Sequence, residues 1–316
     1  MNHYQRLDAI VTEAIKRGPV TVAFAAAQDR SVIKAAKAAT ELGLIRAILV
    51  GEESAIRALT TEVGFSSARI IDEPDVDRAA LKAVELVSRG EASVLVKGQI
   101  NSSNFLKAAL NPDYGLRSGK ILSHLAAFEI PGEPKLAFHT DGGMVINPDL
   151  EDKKRILQNS LEALARIGLD RPKVALLTAN EQVNPRMPST TDAQTLVELW
   201  QQGFFPPCII EGPIAMDVAA SAEAANQKGI RSQIAGEVDL FLLPNIEAGN
   251  LVGKTLLHYA KAKMAGVILG ATHPIVLVSR SDDAEAKLNS IALACLLAPE
   301  RKVEAAPLPE AATAGV

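Results

Sequence analysis

The feature that most constrains the fold of this chain is a repeating alternation. Short, almost uninterrupted apolar runs are separated by stretches with helical periodicity. The first unit comprises "VTVAFAAA" (20–27), an amphipathic stretch at 31–42 and "IRAILVG" (45–51). An apolar run with no polar face must be covered on both sides, and parallel neighbours need a crossover to join them. Helical crossovers meet both demands, so the spacing predicts βαβ units. The pattern continues with a helix over 53–63, a strand at 68–72, a helix over 75–89 and a strand at 92–98. Beyond residue 121 the texture changes. "SHLAAFEI" and "KLAFHTD", joined by "PGEP", predict an antiparallel hairpin. Alternation then resumes through strands at 173–178, 208–212, 238–244 and 266–270, with helices over 151–167, 189–202, 216–227 and 250–264. A last apolar run, "PIVLVS", leads into a final helix. The class is α/β.

A chain of 316 residues has room for two domains of roughly 150 residues each. With 48% hydrophobic and 22% charged residues it has an ordinary globular balance. Aromatics at 4% and a net charge of −4 argue against base stacking and against a global field for nucleic acid or anionic lipid. An anionic ligand would have to be held locally, by a few cations and helix N-termini. The opening "MNHYQRLDAIVTEAIKRG" reads as an amphipathic helix, and no apolar run approaches the ~18 residues of a membrane span. A cytoplasmic protein is expected. Cys208 and Cys295 sit in apolar surroundings and read as buried small hydrophobes. The five histidines show no ligand spacing, and no G-x-S-x-G elbow occurs.

Open α/β sheets bind ligands beyond the carboxyl ends of their strands. Four junctions therefore carry the candidate residues. In "VLVKGQINSSNFLKAAL", Lys97 and Gly98 end a strand and Asn101, Ser102 and Ser103 open a helix, which suits phosphate. Plain N-capping accounts for the same residues. In "FHTDGGMVINPDLED", Asp141, Gly142 and Gly143 form a turn whose glycines permit positive φ or a close backbone approach. In "LPNIEAGNLVGKTL", Gly249 and Gly253 leave three intervening residues where a Walker A loop needs four. Asn245, Glu247, Gly249 and Asn250 read instead as a strand-to-helix turn, with Lys254 one turn into the helix. In "VLVSRSDDAEAK", Asp282 and Glu285 have capping-box spacing. Ser279 and Arg280 precede that cap, where a guanidinium either clamps an anion or pairs with Asp282 or Asp283.

These stretches, above all the run from Pro244 to Ala294, resemble the phosphate acetyl/butyryltransferase family, and its phosphate butyryltransferases more than its acetyl enzymes. The likeness covers essentially the whole chain. It implies acyl-CoA + phosphate ⇌ acyl phosphate + CoA, with no metal or redox cofactor and with coenzyme A and its thioester as substrates. It implies two three-layer α/β domains around a cleft, in an isocitrate/isopropylmalate dehydrogenase-like topology. Domain I would comprise residues 1–121 plus 267–316 and domain II residues 122–266. A homodimer or higher homo-oligomer is expected. Ser279 and Arg280 match active-site positions of the acetyl enzymes, and Lys107 stands where those enzymes carry a second arginine. The position of their proposed aspartate base is Ala286 here, with Asp283 and Glu285 the nearest acids and Lys287 adjoining. A dehydrogenase sharing the cleft and a non-catalytic CoA-binding protein are the competing expectations.

Overall fold

The computed structural model describes residues 4–277 and 283–299. The first part of the chain alternates as the apolar pattern requires. Helix α1 (Leu7–Lys16) precedes β1 (Val20–Ala25), α2 (Arg30–Glu41), β2 (Ile45–Gly51), α3 (Glu53–Val63), β3 (Arg69–Asp72), α4 (Val76–Ser88), β4 (Val94–Lys97) and α5 (Ser102–Ala109). The hairpin follows as β5 (Ser123–Glu129) and β6 (Ala137–Thr140), paired antiparallel through Ala127 and Phe138. Then come α6 (Leu150–Arg166), β7 (Lys173–Leu177), α7 (Pro188–Gln201) and β8 (Ile209–Ile214). The helix expected over 216–227 is two short helices, α8 (Met216–Ala220) and α9 (Ala222–Gln227). Ser221 breaks it, because its hydroxyl accepts the Ala224 N–H as a new N-cap. The chain ends with β9 (Leu240–Leu242), α10 (Ile246–His258), β10 (Lys263–Leu269), β11 (Ile275–Val276) and α11 (Ala284–Leu297).

Among the described residues, eleven strands join one sheet in the order β3-β2-β1-β4-β11-β10-β5-β6-β9-β7-β8. The strands from β3 to β11 are mutually parallel, and so are those from β6 to β8. Antiparallel pairs β11–β10, β10–β5 and β5–β6 lie between the two sets. The division expected at residues 121/122 falls before β5 and that at 266/267 inside β10, and the sheet runs through both without a break.

From Ile291 to Leu297 helix α11 is apolar all round and is buried accordingly, and the helix packs on α1, α2 and β10. Two guanidinium groups reach the carbonyls at its C-terminus: Arg17 donates to Leu296 O at 2.7 Å and Arg166 to Leu297 O at 3.2 Å. Helix α10 is the opposite case. Its sequence is largely apolar, yet Gly249 is its one fully buried residue.

Candidate active site

One face of the central strands forms the floor of a cleft of about 590 Å³, a size suited to a small organic ligand. Alternation decides which residues it sees. His124, Ala126 and Phe128 of β5 lie opposite Ile268, Gly266 and Met264 of β10. His139 of β6 lies opposite Ala126. One wall is the start of α5, with Lys97 at the end of β4 below it. The other wall is α10, which presents Gly249, Asn250, Gly253, Lys254 and Leu257 at helical spacing.

The cleft has a cationic side and an apolar side. Lys97 is only 5% exposed and donates to Gly98 O at 3.3 Å. The Asn101 side chain caps α5 by accepting the Asn104 N–H at 2.7 Å, and Asn101 and Ser102 bring the N-terminus of this helix to the cleft. Lys254 adds a second ammonium from α10, and no carboxylate lines the cleft among the described residues. Such a lining attracts anions.

The rim opposite α5 is set by Asp141, which is 2% exposed. Its carboxylate accepts N–H groups from Gly143 (2.7 Å), Met144 (2.8 Å), His124 (3.1 Å) and Val145 (3.3 Å). Gly142 is needed for proximity: a Cβ there would stand 3.0 Å from the Gly249 backbone of α10. The two cleft histidines differ. His139 is fully buried between the rings of Phe128 and Phe241, at centroid distances of 5.0 and 4.9 Å. Burial lowers its pKa to about 4, and its Nδ1 has no hydrogen-bond partner among the described residues. His124 lies in the narrow space that Gly143 and Gly266 leave, since a Cβ on either would approach its ring to 3.2 and 2.8 Å. Cysteine chemistry has no place here. Burial pushes the Cys208 thiol up to about 11 and the Cys295 thiol higher still.

Comparison with known proteins fits this geometry. The family described as "Phosphate acetyl/butaryl transferase" matches residues 73–295, more than half of the chain. The chain belongs to the phosphate acetyl/butyryltransferase family. It is 44% identical to a phosphate butyryltransferase of Clostridium acetobutylicum over 88% of this chain and 93% of that one. It is 40% identical to a phosphate acetyltransferase of Thermotoga maritima, covering 92% of this chain and 99% of that protein. Among solved structures it is similar to a branched-chain phosphotransacylase from Enterococcus faecalis, at a TM-score of 0.79 and 31% identity, over 89% of this chain and 100% of the other.

Within this phosphate acyltransferase, the residues singled out from sequence divide. Lys97, Asn101, Ser102, Gly142 and Asn250 line the cleft together. Gly98 does not line it but supports it, because a Cβ there would stand 2.2 Å from Ala26 O. Ser103, Lys107 and Glu247 are exposed and off the cleft lining. Asp141 shapes the turn, since both of its oxygens are occupied by backbone. Asn245 caps α10 through the Ala248 N–H, so the helix begins at Ile246, and Glu247, Gly249 and Asn250 are helical rather than part of a turn. Ser279, Arg280 and Asp282 lie outside the described residues. Asp283 is the N-cap of α11, accepting the Ala286 N–H at 2.8 Å, where a box built on Asp282 was expected. Glu285 pairs with Lys263 at 2.7 Å. Asp283, Glu285 and Ala286 line a smaller hollow of about 240 Å³ that shares Lys254, Leu257 and Met264 with the cleft. Lys287 is a buried residue of α11, within electrostatic reach of Asp29.

His124, His139, Phe128 and Met264 were not among the sequence candidates, and Lys254 was noted only for its place one turn into a helix. The signal for the strand residues was the alternation 124/126/128. For α10 it was the spacing of Gly249, Gly253 and Leu257.

Proposed function

We propose that this protein transfers a short acyl group, butyryl or of similar length, between coenzyme A and inorganic phosphate. The observation that carries the reading is a cleft with one buried lysine, Lys97, and one exposed lysine, Lys254, no lining carboxylate among the described residues, and apolar lining beside them. Phosphate is partly dianionic near neutrality, with a second pKa of about 6 by analogy with phosphorylated side chains. In the proposed step a phosphate oxygen attacks the thioester carbonyl carbon within a ternary complex. The C–S bond then breaks, the electron pair leaves on sulfur, and the phosphate proton ends on the thiol of coenzyme A. Atoms and charge balance without an electron donor, so the reading assigns the reaction no redox group, and the family resemblance assigns it no metal.

Bringing two anionic substrates together is chiefly a problem of position and charge. Lys97, Lys254 and the N-terminus of α5 meet it on the described surface. Ser279 and Arg280 keep the roles that the family resemblance gives them. His124 is the cleft group suited to carry the proton from phosphate to sulfur, because His139 is held neutral by burial. A covalent cysteine intermediate is disfavoured by the raised thiol pKa values.

The outward side of α10 supports a homodimer. Leu251 is 67% exposed and Tyr259 86%. An apolar groove of about 470 Å³ between α8 and α10 adjoins them, lined by Met216, Ala219, Val252 and Leu256. A second copy of the chain would cover this face. Among the described residues no helix is long and apolar enough to cross a membrane, and both cysteines are free thiols. We therefore place the activity in the cytoplasm.

The test is stoichiometry. Incubation with butyryl-CoA and phosphate should release free thiol and form acyl phosphate, trapped as its hydroxamate, in equal amounts. Thiol without hydroxamate would make the protein a thioesterase, and neither product would refute the proposal.

A further inference from the structure

Why the apolar side of the cleft exists is a separate question from how phosphate is held. Lys97 on β4 and Ala126 on β5 are separated by β11 and β10, three strand spacings or roughly 14 Å across the sheet. Toward Phe128 the described floor is Met264 of β10 and Ala126 and Phe128 of β5, bordered by His124 and His139, with Leu257 and Gly253 of α10 above. The far end of this compartment is fixed. The Phe128 ring is packed edge-on against His139, and a Cβ added at Gly253 would stand 3.2 Å from its Cζ. Alongside Gly266 of β10, two small residues face the compartment: Ala126 in the floor and Gly253 in the roof. Larger side chains at either would fill the space in front of Phe128.

We propose that this compartment is the acyl-chain gauge. The tail of the acyl-CoA lies across Met264 and over Ala126, and its terminal methyl meets the side of the Phe128 ring, which Gly253 closes from above. Ala126 and Gly253 set the width available to the chain, and Phe128 sets its length. The inference rests on the phosphate acyltransferase reading and adds which residues choose the acyl group.

The proposal is tested by measuring phosphate-dependent CoA release, as kcat/KM, with acyl-CoAs of two to six carbons. Ala126→Val should lower the butyryl-to-acetyl ratio about 10-fold or more, the scale of one methylene in an apolar pocket. Phe128→Ala should move the ratio the other way, raising hexanoyl over butyryl by about the same factor. A structural role alone would depress every chain length together and leave the ratios unchanged. Gly253→Ala leaves both strands unchanged and, with its Cβ 3.2 Å from Phe128 Cζ, probes the compartment independently from α10. It should also lower the ratio of longer to shorter chains. Unchanged ratios in folded, active variants would overturn this inference and leave the function standing. A wild-type protein that releases no CoA from any of these thioesters in the presence of phosphate would overturn the function itself.

Discussion

At the scale of single residues, the site is held by buried polar groups with one task each. Asp141 accepts four backbone N–H groups and so ties the Gly142–Gly143 turn to the start of β5. Asp141→Ala would leave those amides without an acceptor in a buried place. It should lower the unfolding free energy by roughly 3 kcal/mol or more, with Asp141→Asn costing less because one oxygen remains. Urea unfolding at constant pH checks this, and a loss below about 1 kcal/mol for Asp141→Ala would contradict it. His139 makes a prediction about acid. Burial depresses its folded pKa from 6.5 to about 4, so between those values the unfolded chain binds a proton that the folded chain refuses. Stability from this group is complete above 6.5 and is lost as the pH falls toward 4, by roughly 3 kcal/mol at most. His139→Leu should flatten that part of the stability–pH curve. An identical slope in variant and wild type would assign the acid sensitivity elsewhere.

At the scale of elements, α10 and the β5–β6 hairpin define the cleft, and here the sequence was only partly legible. The hairpin could be read from two apolar runs around a Pro-Gly turn. The start of α10 could not, because Gly249 and Gly253 mimic a loop. In the structure those glycines are helical and serve close approach: a Cβ at Gly249 would stand 2.6 Å from Gly142 Cα and 2.7 Å from Asp141 O. Gly249→Ala therefore sets a helix-propensity gain of about 1 kcal/mol against overpacking of about 1–3 kcal/mol on unyielding backbone. The net should be a loss of stability, read as a lower thermal midpoint, whereas a rise would mean that the two segments can separate freely. The histidines were illegible for a different reason. Scattered spacing argues against a metal site, but alternation along β5 and pairing with β10 bring His124 into the cleft, and pairing is a long-range property. Asp283 and Glu285 show the converse. Their position near Ala286 marked them as acids of interest, yet one caps α11 and the other pairs with Lys263.

At the scale of the whole molecule, the α/β class followed from the alternation alone, because two-faced apolar strands admit few other solutions. The continuous eleven-stranded sheet was not visible that way, since its central antiparallel pairs join segments distant in sequence. The exposed apolar side of α10 gives the molecule an oligomeric expectation. Light scattering should report twice the chain mass, and Leu251→Lys should shift it toward the monomer without unfolding. A wild-type monomer at micromolar concentration would refute the dimer.

The central claim is direct attack of phosphate on a bound acyl-CoA in a cationic cleft. An initial-velocity matrix of CoA release, varying butyryl-CoA at several fixed phosphate concentrations, tests it most directly. Double-reciprocal lines that intersect, with no CoA released when phosphate is omitted, are the predicted result. Parallel lines, with a burst of CoA in the absence of phosphate, would reveal an acyl-enzyme and contradict it.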